Sequence, residues 1–282
     1  MARIGFVTSH ALHDLTPSDR LAAAALRARG ADVVPAVWTD PTVAWREFDQ
    51  VVVRSPWDYF AHQDRFLSWF DILDRAGIPV ENPTSILRWN LDKVYLRELG
   101  VPVVATEWVG QGGTLDLPAI LRSRGWRRAV IKPTISAGGH DTWTVDAGTA
   151  MEIGARMAPV LGRCGLMIQP FMDQIRAQGE ISFLFFRKRF SHAVLKKPKA
   201  GEFRVQVEYG GSAEPFAPSP ALVAQAERVL GAVKGELLYA RVDGVDVNGE
   251  FQLMELEALE PDLFLGHSPG APERFAAAVL AR

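Results

Sequence analysis

The chain has 282 residues, 48% of them hydrophobic and 23% charged, an ordinary composition for a globular protein with a sizeable core and room for about two domains. A formal net charge of −2 gives no electrostatic reason to expect a nucleic acid or a membrane surface as partner. One cysteine, Cys164, cannot form an internal disulfide and fits a reducing cytoplasm; no apolar run approaches membrane-spanning length, and the N-terminal run at residues 3–7 reads as too short and wrongly flanked for a signal peptide.

Residues 4–8 read as a buried strand leading into the polar loop Ser9 to Asp14. Thr16-Pro17-Ser18-Asp19 then starts an alanine-rich helix that Gly30 stops. Strands follow at residues 33–37 and 50–54, and a helix over 63–76 carries Phe66, Leu67, Phe70 and Leu73 on one stripe. Strands alternating with helices predict a parallel sheet, whose ligands bind beyond the carboxyl ends of the strands. The first strand-to-helix turn lacks G-x-G-x-x-G, which argues against a nicotinamide dehydrogenase. Two segments sit at the expected cleft: the loop with His10 and His13, and Arg54-Ser55-Pro56-Trp57-Asp58-Tyr59. In the second, Arg54, Trp57 and Asp58 either contact a small polar substrate or belong to a surface loop covering the sheet end.

The pattern changes near Glu81-Asn82-Pro83. A helix over 85–99 presents Lys93, a strand is predicted over 101–108, and a helix over 117–124. The strand at 128–132 ends on Lys132 and enters Thr134-Ile135-Ser136-Ala137-Gly138-Gly139-His140-Asp141. In that loop Ala137, Gly138 and Gly139 put little side chain between the backbone N–H groups and a phosphate. A helix over 147–161 precedes the strand 166–169, and a hairpin turns at Arg187-Lys188-Arg189. A mobile, charged segment is expected at 196–203, a polar run at 209–220, and then a helix to about residue 234.

The segment from Tyr239 to Glu260 reads as two strands joined at Asn248-Gly249. Side chains alternate with period two, so Glu255 and Glu257 share a face. A plain two-residue turn sets Asp243 opposite Met254, on the other face. A three-residue loop, or a bulge at Gly244, brings Asp243 to the two glutamates. One of these is expected, and the three carboxylates could then hold a divalent metal.

This ordered set resembles the ATP-grasp superfamily of carboxylate–amine ligases, similar to D-alanine–D-alanine ligase and the glutathione synthetase type. The resemblance implies an α/β (α+β overall) ATP-grasp fold with an N-terminal Rossmann-like βαβ domain at 1–83. A central subdomain follows at 84–170 and a C-terminal metal-binding subdomain at 171–282. It further implies that Lys93 and Lys132 hold ATP phosphates, with Ser136, Ala137, Gly138 and Gly139 folded over them. Gln169, Pro170, Phe171 and Met172 are the adenine hinge, and Glu180 meets the ribose. Arg241 lies beside the transferring phosphoryl and Arg204 contacts phosphate. Asp243, Glu255 and Glu257 hold magnesium, two ions in all, or manganese. The last metal position is commonly Asn in these ligases, so Glu257 either completes the metal shell or reaches the substrate.

The implied reaction converts a small-molecule carboxylate, of an amino acid or peptide, into an acyl phosphate that an amine-type nucleophile attacks. A cyclising variant that forms cycloserine from an O-ureido amino acid is one specific option. The alternative is a nucleotide-binding module without turnover. The resemblance also suggests a homodimer through the front domain.

Overall fold

A computed structural model of the chain describes residues 1–281. The first eighty residues alternate strand and helix: β1 (Arg3–Thr8), α1 (Pro17–Arg27), β2 (Asp32–Val37), β3 (Gln50–Ser55), α2 (Gln63–Ala76) and β4 (Val80–Glu81). Every pairing is parallel, in the order β2-β1-β3-β4. Both faces are buried, as parallel sheets require. Ile4, Phe6, Val33 and Val52 meet α1, while Val7, Val51 and Val53 meet Phe66, Phe70 and Leu73 of α2. The Thr16 hydroxyl accepts from the Asp19 N–H to cap α1, and Gly77 at φ 65° ends α2.

The segment predicted as one helix over 85–99 is two. Helix α3 (Thr84–Leu91) stops at Asp92, whose backbone is extended and whose carboxylate accepts from the Val94 N–H to start a 3₁₀ turn over 93–97. The break frees the Lys93 N–H to donate to the Thr134 carbonyl at 2.9 Å, tying the Lys93 backbone to the glycine loop. The strand predicted over 101–108 is likewise divided. Residues 102–104 run beside Leu253, and only β5 (Glu107–Val109) joins the central sheet.

That central sheet is antiparallel, ordered β5-β8-β6-β7, with β6 (Arg128–Pro133), β7 (Trp143–Asp146) and β8 (Leu166–Pro170). Helices α4 (Leu117–Arg124) and α5 (Ala150–Leu161) cover it, burying Leu121, Ile153 and Met157 against Ala129, Ile131 and Ile168. Cys164 is buried in this core.

After the short helix α6 (Asp173–Ala177), the third sheet is a five-stranded antiparallel layer. It is built from β9 (Glu180–Phe186), β10 (Arg189–Lys197), β11 (Ser212–Phe216), β12 (Tyr239–Val247) and β13 (Glu250–Glu257), in the order β11-β10-β9-β12-β13. The β9–β10 turn at Arg187 and Lys188 has φ 47° and 58°, as a two-residue primed turn needs. One expectation fails here: residues 196–197 continue β10 instead of entering a mobile segment. The polar run 209–220 contains β11. Helix α7 (Pro220–Ala232) packs on this sheet, while α8 (Ala271–Leu280) lies against α1 in the front layer.

Asn82 fastens the front layer to the third sheet. It is fully buried; its Nδ2 donates to the carbonyls of Tyr239 and Ala258 at 2.9 and 2.7 Å, and its Oδ1 accepts from the Leu238 N–H at 2.6 Å. Asn90 and the Tyr95 hydroxyl bind the backbone of residues 256–259 in the same manner.

His192 on β10 is buried between two neutral partners. Its Nε2 donates to the Leu263 carbonyl at 3.0 Å, and Nδ1 accepts from the Ser191 hydroxyl at 2.9 Å. Burial, with Arg274 and His267 nearby, pulls its pKa from 6.5 down to about 4, against the opposing hydrogen bond to Leu263. The folded protein therefore binds this proton less readily than the unfolded chain. The His192 contribution to stability is complete above about pH 6.5 and is lost as pH falls toward 4. Urea unfolding at pH 7 and pH 5 is expected to show this loss, and His192→Gln to reduce it.

Candidate active site

The β12–β13 hairpin turns at Asn248 and Gly249, with φ 56° and 89°, and Val247 pairs with Glu250. The turn is thus of the two-residue kind, and the three-residue loop does not form. The bulge does. Asp243 pairs with Glu255 while Gly244 pairs with Leu253, so Met254 is the extra residue. A Cβ at Gly244 would lie 2.3 Å from the Gln252 carbonyl oxygen and 2.5 Å from the Phe251 ring, which is why the bulge needs glycine. The shift puts Asp243, Glu255 and Glu257 on one face, with ligand oxygens within 4.8 Å of one another.

Cations meet each of these carboxylates. The Arg241 guanidinium donates to both oxygens of Asp243, through Nε at 3.0 Å to each and Nη2 at 2.9 Å to Oδ2, and also binds Glu257. The Ser182 hydroxyl donates to Asp243 Oδ1 at 2.6 Å, and Lys196 Nζ sits 3.2 Å from Oδ2. Lys196 also lies 2.6 Å from Glu180, its register partner across β9–β10. Lys93 is 3.2 Å from Glu255 and donates to the Ser136 carbonyl at 2.9 Å.

Electrostatics separate the three acids. Burial pushes the Asp243 carboxyl up, but Arg241, Lys196 and its hydrogen bonds outweigh that and hold it well below the usual range. Burial also raises Glu255, and Lys93 and Lys132 again prevail, keeping it low. At Glu257, burial and the neighbouring acids win over Arg241, so its carboxyl is raised well above the usual range. Lys132 is pulled below the usual lysine value by burial and by Lys93, despite Glu255. All-oxygen donors in this cluster suit a hard divalent ion such as Mg²⁺. Glu255 and Glu257 offer it more open side chains, 25% and 21% exposed against 2% for Asp243.

These groups line one cavity of about 960 Å³ between the central and third sheets, closed in front by Trp57, Tyr59 and Phe60. Ser136, Ala137, Gly138 and Gly139 form its roof, with Gly138 and Gly139 at φ 59° and 71°. Gln169, Pro170 and Met172 line it, but the Phe171 ring turns away beneath Arg128, and the Phe171 N–H is spent on the Arg128 carbonyl. Glu180 and Lys132 line it, as does Arg204, which is held by Glu202 at 2.8 Å and lies 3.5 Å above the Tyr209 ring.

The front-cleft expectations fare less well. Trp57 lines the cavity and donates to the Glu260 carbonyl at 3.0 Å. Arg54 does not reach it. That side chain is 1% exposed, bonded to Asp19 at 2.9 Å and the Pro261 carbonyl at 2.8 Å, because α1 presents Asp19 behind the sheet end. Asp58 accepts from the Trp38 indole N–H at 2.7 Å and lies outside the cavity wall. His10 is exposed and outside it too, whereas His13 lines it. Lys196 and Ser182 are site residues that the sequence reading did not assign, while Tyr59, from the cleft segment, and Glu260, from the segment 259–264 expected near the acceptor site, line the cavity. Continuing the β10 alternation past Leu195 would have found Lys196.

The three sheets, with the cavity between two of them, have the ATP-grasp fold found in carboxylate–amine ligases. Residues 4–82 match the family model of the N-terminal domain of D-cycloserine synthetase DcsG. The chain is 29% identical over 262 residues to the cycloserine biosynthesis protein DcsG of Streptomyces lavendulae, covering 87% of each chain. A crystal structure of D-cycloserine synthetase DcsG superposes with a TM-score of 0.89 at 28% identity, over 99% of this chain and 98% of that one. D-alanine–D-alanine ligase from Bacillus anthracis shares the fold at TM-score 0.67 and 14% identity, over 99% and 96% of the two chains. The RimK-domain ATP-grasp protein of Sphaerobacter thermophilus does so at 0.73 and 17%, over 99% and 100%.

The Arg54–Asp19 pair gives a direct test of the corrected assignment. Arg54→Ala leaves a buried carboxylate alone and is expected to cost about 3–5 kcal/mol in denaturant unfolding. The folded fraction should keep its KM values, because the side chain touches no substrate.

Proposed function

We propose that this protein is an ATP-dependent ligase that activates a small-molecule carboxylate as an acyl phosphate and joins it to an amine-type nucleophile. The observation that carries the reading is the meeting, in one cavity, of Lys93, Lys132, Lys196 and Arg241 with Asp243, Glu255 and Glu257 under a glycine-rich roof. Similarity to DcsG along nearly the whole chain favours the cyclising form, in which one O-ureido amino acid supplies both carboxylate and nucleophile.

In this mechanism Lys93, Lys132 and Lys196 hold the triphosphate as compact cations, with backbone N–H groups of residues 136–139 above it. Gln169, Pro170 and Met172 border the base, and Glu180 borders the ribose. Asp243, Glu255 and Glu257 would hold Mg²⁺, as a pair of ions or with Mn²⁺ in its place, supplying neutralisation of phosphate charge. A substrate carboxylate oxygen attacks the γ-phosphorus, forming a C–O–P link as the β–γ P–O bond breaks and ADP leaves. The nucleophile nitrogen then attacks the carbonyl carbon. A C–N bond forms, the C–O bond to phosphate breaks, and the nitrogen's proton passes to the departing phosphate or to solvent. With an O-ureido substrate the ring nitrogen still carries its carbamoyl group, and water cleaves that N–C bond, releasing ammonia and carbon dioxide and returning a proton to the ring nitrogen. Arg241 faces the charge that develops in both steps, which is where a fixed donor lowers a barrier most. We further take the enzyme to work in the cytoplasm on small molecules, as a homodimer joined through its front layer.

Magnesium-dependent ADP release with O-ureidoserine and a panel of amino acids and dipeptides, with mass detection of product, tests this. The expected outcome is turnover of a carboxylate substrate, with cycloserine as the O-ureidoserine product. ATP binding without ADP release from any of these would leave only a nucleotide-binding module. Glu255→Gln is expected to lower kcat by more than about a hundredfold and to weaken Mg·ATP binding while circular dichroism stays unchanged. Retained turnover would place the metal elsewhere.

A further inference from the structure

Among the described residues, each cavity carboxylate of the phosphate end has a cation against it: Glu180, Asp243, Glu255 and Glu257 pair with Lys196, Arg241 or Lys93. Glu260, Asp262 and Glu208 line the cavity without such a partner, and of these three Glu260 alone is buried. It is 7% exposed and lines the same cavity, yet no lysine, arginine or histidine nitrogen lies within 4.0 Å of it. Its backbone carbonyl accepts from the Trp57 indole at 3.0 Å, and the Tyr59 hydroxyl beside its side chain lowers its carboxyl against the effect of burial. Tyr59 is itself 3% exposed. Two aromatic side chains of the front layer thus fix residue 260 from both ends, at the boundary where the front layer closes the cavity.

A buried carboxylate without a cation is costly, and proteins retain one where a ligand brings the missing charge. The neighbours decide which ligand suits it. Burial and Glu255 raise the Glu260 carboxyl; Tyr59, and Lys93 and Arg241 from beyond 4.0 Å, lower it without prevailing, so a second anion is disfavoured beside it. An ammonium is a point charge with three donors, small enough for a niche walled by Trp57 and Tyr59.

We infer that Glu260, held by Tyr59 and Trp57, is the site that binds the α-ammonium group of an amino-acid substrate. The inference rests on the ligase reading and deepens it by assigning the residue that recognises the substrate's amine, oriented so that the amine points to the front layer. The carboxylate of that substrate then extends toward Arg241 and the phosphate end.

The test uses the full chain with Mg²⁺ and a non-hydrolysable ATP analogue, so that binding is measured without turnover. O-Ureidoserine is compared by calorimetry with 3-(ureidooxy)propanoate, the same acid without its ammonium. Wild type is expected to bind the amino acid about 10- to 100-fold more tightly, and Glu260→Gln to lose that preference while ATP affinity changes by less than about threefold. A second, ligand-free readout separates recognition from structure. Glu260→Gln keeps the shape and removes the unpaired charge, so its Tm at pH 8 should rise by about 2 °C. Equal wild-type binding of the two acids, a preference that survives in the variant, or a lower Tm would each overturn the inference. Absence of ADP release in the presence of an intact ammonium preference would instead overturn the ligase reading alone.

Discussion

The Asp243 carboxylate is the point on which the site depends. It is almost wholly buried, and both oxygens are engaged, by Arg241 and Ser182 on one side and by Arg241 and Lys196 on the other. A carboxylate in that position is tolerable only with its charge matched and its lone pairs filled. The matching groups come from three adjacent strands, β9, β10 and β12, so the sheet order β10-β9-β12-β13 is a condition for the charge to be stable. Once Asp243 is set, Arg241 is oriented toward Glu257, and Lys196 toward Glu180.

The same arrangement poises the cavity for multiply charged ligands. Its cations are neutralised by protein carboxylates, several of which are also the candidate metal ligands. Phosphate oxygens and a divalent ion can enter together with little change in total charge, whereas either alone would leave an imbalance. Raising the Glu257 carboxyl while holding Asp243 and Glu255 low grades the three acids, so that they are not equivalent ligands.

Much of this was legible in the sequence because it is local. The Asn248-Gly249 turn, the small-residue loop after Lys132 and the period-two placement of Glu255 and Glu257 depend on neighbours a few residues away. Gly244 marked the bulge that decides the face of Asp243. What the sequence could not resolve depends on packing between distant segments. Arg54 stands at the carboxyl end of a strand, where a ligand-binding cation is expected, but Asp19, 35 residues earlier, turns it inward. Lys196 was lost in a charged run because only its register against Glu180 shows it to be strand. Glu260 gains its meaning from Tyr59 and Trp57, some two hundred residues away in the chain. The break at Asp92 was invisible because the apolar stripe continues across it.

Asn82 has a mechanical consequence. Its buried amide is bonded to backbone on both β12 and the segment after β13, and Asn90 and Tyr95 repeat that stitching along residues 256–259. Swinging the front layer away from the third sheet would break these buried hydrogen bonds together, a cost of several hydrogen bonds at once. The front layer and the third sheet therefore behave as one chassis, with the substrate niche at Glu260 built at their fixed joint. The central sheet touches that chassis at fewer polar points, chiefly Lys93 on Thr134 and Ser136. In the ligase proposed above, that rigid joint holds the geometry around the acyl carbon constant from one turnover to the next.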